Sequence, residues 1–388
     1  MVKSALERTP TFLLRHLTGL TVIGLAILLL VIPLRLANPF TLSILNQIGL
    51  LVIVVLGLNL FTGYAGQISL GHAAFFGLGA YGSAILTATY NFPPWPTMLL
   101  VALAVALVAL VIGVPTLRLS GHYLAMATLG FNYVVHIIFV QWDKVTGGPS
   151  GLSGIPPLSI GRLSFNTDLK FYYLAWTFSL IALTLCLNLV RTGVGRGLAA
   201  LAQDEVAASC LGVDVRRDKV RVFVLSAVLA SVAGSLYAHY FGHVSPDAFS
   251  IFKSLDLVIM VVVGGMGSIW GTLFGVSFVV TLPYFLESLE QYFDIIHGLI
   301  LVLILMFLPQ GLVSGLWDQG RIYLARRRLA REAAYDVLGQ GRVGEAATAG
   351  SGPVETPSAS TTPQPPSPEQ SRDTAQQTKS GGTATATP

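Results

Sequence analysis

One stretch limits the choice of fold more than any other: between Arg35 and Arg118 the chain runs for 82 residues without a Lys, Arg, Asp or Glu. A water-soluble domain keeps a charged surface, so a charge-free segment of this length must be surrounded by something other than water. Six further runs, 17–34, 119–142, 171–190, 222–246, 257–286 and 295–317, also lack all four charged residue types. Each is long enough to cross a hydrocarbon core, which takes ~20 helical residues. With 53% hydrophobic and 11% charged residues and a mean hydropathy of +0.70, the 388-residue chain cannot be two or three soluble domains. It reads as an all-α integral membrane protein, a polytopic helix bundle of about ten transmembrane segments, some short or broken at glycine.

The longest run is too long for two crossings and comfortable for three, with breaks at TGYAGQ and NFPPWP, giving spans near 42–62, 66–90 and 97–117. The run 257–286 is either one long tilted helix or two short ones divided at GGMGS, 264–268. The excess of Lys and Arg on cytoplasmic segments arbitrates. With the N-terminus inside and two passes over 257–286, inside segments hold 15 basic residues and outside segments 5; a single pass would leave RIYLARRRLAR outside. Ten spans with both termini cytoplasmic is therefore preferred. The first run follows Lys3, Arg8 and Arg15 but is longer than a signal-peptide core and lacks a clean cleavage site, so it is expected to be a retained span. The resulting layout is a cytoplasmic N-terminus (1–16), a membrane domain (17–317) with an external loop (143–170) and a cytoplasmic loop (191–218), a basic juxtamembrane segment (318–338), and a disordered tail (339–388) rich in Pro, Ser, Thr and Gln. The two cysteines, Cys186 and Cys210, are expected to be packing residues and not a disulfide.

Why does a lipid-immersed chain carry TGYAGQISLGHAAFFGLGAY at 62–81, where leucine inserts more favourably? Helices in lipid associate through small residues that let backbones approach, and the pairs Ala73/Gly77 and Gly79/Ser83 suit that, as do Gly267, Gly271 and Gly275 at four-residue spacing. Glycine equally permits unwound backbone at membrane depth where it is buried or lines a cavity. Polar side chains in such segments commonly face the interior and mark a pathway. Asn59, Gly66, Gln67, Ser69, His72 and Tyr81 are thus candidates for a translocation path as well as for internal packing. No strong acid or base lies deep in a predicted span; Asp256, Glu287 and Glu290 fall at predicted ends, leaving little to bind a driving ion.

The loop RTGVGRGLAALAQDEVAASCLGVDVRRDKVR, 191–221, has a good helix-forming core at 197–211, with Asp204 and Glu205 exposed, Gly212 suited to end the helix in a left-handed conformation, and Asp214 suited to cap the next one. Such a helix between two spans is either a solvated connector or a lever on both.

The segment LAQDEVAASCLGVD resembles the coupling loop that permease subunits of ABC importers present to their ATPases. GLNLFTGYAGQISLGHAAFFGLGAYGSAIL, GHYLAMATLGFNYVVHIIF, VTGGPSGLSGIP, VVVGGMGSIWGTLFG and LPQGL, in this order between about 57 and 312, resemble the branched-chain amino-acid ABC transporter permease family, M-type subunit. The resemblance implies a non-enzymatic transport subunit in a bacterial inner membrane, paired with a second permease, two cytoplasmic ATPases and an extracytoplasmic solute-binding protein. It implies ATPase contact through Asp204, Glu205, Ala207, Ala208 and Gly212, and leucine, isoleucine and valine as solutes, with urea, short amides or aromatic acids as alternatives. The external stretch 146–156 is expected to receive the binding protein or close the outer mouth. No catalytic residue, metal or resident cofactor is expected; ATP belongs to partner subunits. In keeping with that, the chain has no Gly-Lys dipeptide and hence no phosphate-binding loop of the GxxxxGK[ST] type. Two rivals are an ion-driven carrier and an intramembrane serine protease, the latter resting on GLSG at 151–154, with Ser153 and the intramembrane His239.

Overall fold

The computed structural model describes residues 11–35, 38–160 and 163–285 and the isolated position 298. All lie in the first of two units, Met1–Ile322; the second, Tyr323–Pro388, contains none of them. Apart from position 298, the expected span 295–317 lies outside the described residues, as do Glu287, Glu290, LPQGL, the basic segment 318–338, the tail 339–388 and positions 1–10.

Pro39 opens α2 (Pro39–Asn59), where its missing N–H costs nothing and its fixed φ favours the first turn. From Ile48 to Thr62 every residue of α2 and its continuation is buried, so this helix is apolar all round because it is the centre of the bundle. Its last turn widens into a π-helix (Leu60–Tyr64) before the chain leaves helical geometry at 65–71. α3 (His72–Ala84) follows and also ends in a π-turn (Ile85–Thr89). After the NFPP break comes α4 (Pro94–Thr116), then α5 (His122–Gln141). The peripheral α1 (Thr11–Arg35) is tied on where the Tyr172 hydroxyl donates to the Leu29 carbonyl (2.9 Å).

The segment between α5 and the next long helix holds a single-turn α6 (Asp143–Thr146) and three two-residue strands, β1 (Leu152–Ser153), β2 (Ser159–Ile160) and β3 (Leu163–Ser164). β2 and β3 form a hairpin, while β1 pairs antiparallel with β4 (His243–Val244), ninety residues away in sequence. The chain re-enters as α7 (Asp168–Arg191), turns through α8 (Gly193–Gln203) and α9 (Glu205–Cys210), and returns as α10 (Val215–Phe241). Two short helices, α11 (Ile251–Gly264) and α12 (Ile269–Phe285), end the described part.

α4 and α5 show how the sequence separates lipid from bundle. On α4 the four-spaced Val101, Val105, Ala109 and Gly113 are buried, while Leu99, Leu100, Leu103 and Leu107 are each more than half exposed. Leucine against lipid loses nothing relative to leucine against protein, so the contacts that choose a neighbour are the close ones. One of the tightest lies between α3 and α10. A side chain at Gly79 would meet the Ser231 backbone, and one at Gly234 would meet the Phe76 carbonyl, so both positions must be glycine for the two backbones to touch. The seam is completed by Ser235, whose hydroxyl donates to the Gly79 carbonyl (3.1 Å).

The run 257–286 is two helices divided at 265–268. α11 and α12 pack through Gly264, Gly271 and Gly275, whereas Gly267 precedes the helix, in the turn with φ +75° against Gly63, and so is not on the helix face with the other two. The turn lies beside the end of α2, and α12 brings Tyr284 back to Phe40 near the start of α2, ring centroids 5.4 Å apart. The two helices therefore form a hairpin packed along α2. Among the described residues five helices are long and apolar enough to span, with shorter apolar helices at Thr21–Pro33 and Ile269–Tyr284.

Candidate functional site at the break between α2 and α3

The non-helical segment 65–71 leaves its backbone without a helical ladder inside the bundle, and such groups must be satisfied by neighbours. The neighbours come from three helices and the 191–214 loop. Thr128 of α5 accepts from the Leu70 N–H (3.0 Å). Ser254 of α11 accepts from the Ala73 N–H (3.1 Å) and from Asn132 Nδ2 (3.3 Å).

His72 is sealed in, 1% exposed, between Ser69 (Nδ1 to Oγ, 3.1 Å) and Ser226 of α10 (Nε2 to Oγ, 2.9 Å). Ser226 has one hydroxyl proton and gives it to the Phe223 carbonyl (2.8 Å). It must therefore accept from His72, which assigns the proton to Nε2 and leaves Nδ1 to accept from Ser69.

Asn59 serves the other broken hairpin. Its Nδ2 donates to the Ser268 carbonyl (2.9 Å) and Thr272 Oγ1 (2.8 Å), and its Oδ1 accepts from the Gly267 N–H (3.0 Å). Tyr81 lies farther along α3, stacked on Phe139 at 4.3 Å.

Gly66 and Gln67 join this segment to the 191–214 loop. Gly66, with φ +67°, lies against Ala202 of α8. Gln67 Nε2 donates to the Glu205 carboxylate (3.0 Å), which also accepts from Lys219 Nζ (2.5 Å). The Lys219 side chain is 4% exposed and that of Glu205 39%, so the pair is largely withdrawn from water and neither partner is a free surface charge.

The single helix expected at 197–211 is two helices, and Glu205 is only half-exposed. Asp204 breaks the run by capping α9, its Oδ1 accepting from the Val206 and Ala207 N–H groups (2.8 and 3.0 Å). Gly212 ends the loop with φ +82°, and Asp214 caps α10 by accepting from the Arg217 N–H (3.2 Å). Ala208 is buried beneath α9, Ala207 is exposed, and Val206 and Leu211 stand out at 72% and 80% exposure, an apolar pair facing away from the bundle.

Two further expectations need correction, and one rival reading falls. Cys186 is buried but Cys210 is exposed, so only the former packs. Lys253 and Asp256 lie in the first two turns of α11, half-buried, so charge does enter the bundle. Ser153 and His239 do not meet: His239 donates Nδ1–H to the Pro156 carbonyl (2.7 Å) and accepts from Ser83 (2.9 Å), while exposed Ser153 pairs with His243 (2.8 Å). Lys219, Thr128, Ser226 and Ser254 were not singled out from sequence. Only the Ser226, Ser231, Ser235 series with Gly234 carried a readable signal, a small-residue stripe.

The bundle, its two broken hairpins and its loop clamped against the break between α2 and α3 define a polytopic transport permease. The family model described as "Branched-chain amino acid transport system / permease component" matches residues 40–305, and the chain belongs to that family. It is similar to the high-affinity branched-chain amino acid transport system permease protein LivM of Escherichia coli, 32% identical over 332 residues that cover 78% of each chain. It is also similar to the probable LivM of Methanocaldococcus jannaschii (24% identical, 70% of this chain, 92% of the relative) and to LivH of Salmonella typhimurium (24%, 68% and 90%). No solved structure matches.

Proposed function

We propose that the chain forms, with a second homologous permease, the translocation path of an ATP-driven importer of branched-chain amino acids. The observation that carries this reading is the clamp of Gln67 and Gly66 by Glu205 and Ala202. Two cytoplasmic ATPases seated on the apolar edge of α9, around Asp204, Glu205, Ala207, Ala208 and Gly212, would displace the break between α2 and α3 without an intermediary. A loop that only connected α7 and α10 would have no reason to hold the segment between α2 and α3 by a hydrogen bond and a close backbone approach.

ATP binding draws the ATPases together, α8 and α9 carry the shift, and the segment holding Gly66, Gln67, Ser69 and His72 exchanges outward-open for inward-open packing. The solute biases this exchange only by its differential affinity for the two states. An extracytoplasmic binding protein supplies the solute at the external segment, and both termini lie in the cytoplasm, with the chain in a bacterial inner membrane. The names of the relatives favour leucine, isoleucine and valine as solutes.

The test is uptake of labelled leucine and of urea by proteoliposomes holding the complete assembly, with and without internal ATP. ATP-dependent leucine accumulation is expected. Accumulation of urea alone would replace the solute, and movement indifferent to ATP would refute the importer.

A further inference from the structure

Lys253 and Asp256, one turn apart on α11, are half-buried and line a cavity of about 330 Å³, at the small end of the range for ligand sites. Asp247 stands exposed at its mouth, and Leu50, Leu51 and Phe76, none more than 3% exposed, form the opposite wall. Gln47, also at the cavity, is eight residues into α2. At 1.5 Å per residue that is roughly 12 Å below the outer end of this helix. The side is fixed by α10, which runs from the 191–214 loop up to Phe241, so the cavity lies at the end of the bundle opposite the α9 edge.

Opposite charges half-withdrawn from water are costly even as near neighbours, and such groups commonly mark a solute path. A solvated carrier entrance needs neither, and an uncharged solute such as urea gains nothing from them.

We infer that this cavity is a solute site belonging to the permease itself, which takes a free zwitterionic α-amino acid with an aliphatic side chain. Lys253 receives the carboxylate, Asp256 and Asp247 receive the ammonium group, and Leu50, Leu51 and Phe76 take the side chain. This rests on the importer reading and adds a selectivity step beyond the binding protein.

The test places a thiol at the cavity with Ala248→Cys, after Cys210→Ser removes the exposed native thiol and with Cys186 left buried. Alkylation by a charged maleimide is followed in the assembled permease–ATPase complex, with ATP-driven uptake measured on the same preparation. Leucine is expected to slow alkylation about tenfold, urea not at all, and Lys253→Gln to abolish the protection while Lys253→Arg retains it. If the Lys253→Gln complex loses binding-protein-stimulated ATP hydrolysis it has misfolded, and Asp256→Asn takes its place. Uptake without protection by leucine, or equal protection by urea, overturns the site and leaves the importer standing. Absence of ATP-driven uptake in the parent assembly overturns the importer.

Discussion

At the scale of single residues, His72 and its two serine partners form a hydrogen-bonded set inside the bundle. Ser226 illustrates the consequence: replacing it with Ala leaves the His72 Nε2–H without its acceptor in a site closed to bulk solvent. Ser226→Ala is expected to cost about 1–3 kcal/mol, read as a lower unfolding temperature in detergent, while Ser226→Thr keeps the acceptor. Glu205 is a different case because its carboxylate is partly wet. Glu205→Gln keeps a partner for Gln67 while removing the charge opposite Lys219, so the expected signature is leucine uptake falling much further than the thermal stability. Equal losses in both would mean that the contact only holds the fold.

Sequence reading reached His72, Gln67 and Asn59 because polar residues in an apolar run stand out. It missed Lys219, because a lysine beside a span looks the same whether it snorkels to water or turns inward to a carboxylate. Partnership across 14 residues and a turn is set by tertiary packing.

At the scale of elements, the informative failure is α8 and α9. Residues 197–211 have helix propensity throughout, and nothing local demands a break. The break forms because Asp204 does more as a cap than as a mid-helix acid, and because the new helix start aims Glu205 at Gln67 and Lys219. Asp204→Ala is accordingly expected to destabilise α9 by about 1 kcal/mol, and to reduce ATP hydrolysis stimulated by the loaded binding protein while leaving basal hydrolysis unchanged. Asp204→Asn keeps the cap and is expected to behave as wild type. By contrast the divided hairpin of α11 and α12 was legible, since GGMGS leaves few positions able to continue a helix and charge counting required a second pass. The β1–β4 pairing was not legible at all, because two-residue strands carry no periodicity.

At the scale of the whole molecule, burial of large apolar side chains does not rank the helices by importance, since most apolar surface faces either protein or lipid at similar cost. Close approach does. Leu103→Ala, on the lipid side of α4, is expected to change stability by less than about 0.5 kcal/mol, whereas Gly234→Val, which drives a side chain into the Phe76 carbonyl, is expected to cost about 1–3 kcal/mol or more. Thermal unfolding of both variants in one detergent separates the two. The same principle explains why span positions were readable from sequence while neighbour relations were not: apolar length marks a crossing, but which glycine meets which backbone depends on the assembled bundle.

The pairing of β1 with β4 has a topological consequence. By stitching Leu152 to Val244 it closes a circuit that contains α7, the loop of α8 and α9, and α10, with the strand pair at one pole and the Asp204 cap at the other. A circuit closed at both poles has no free end, so a displacement imposed at the Asp204 pole is taken up by tilting α7 and α10 about the strand pair.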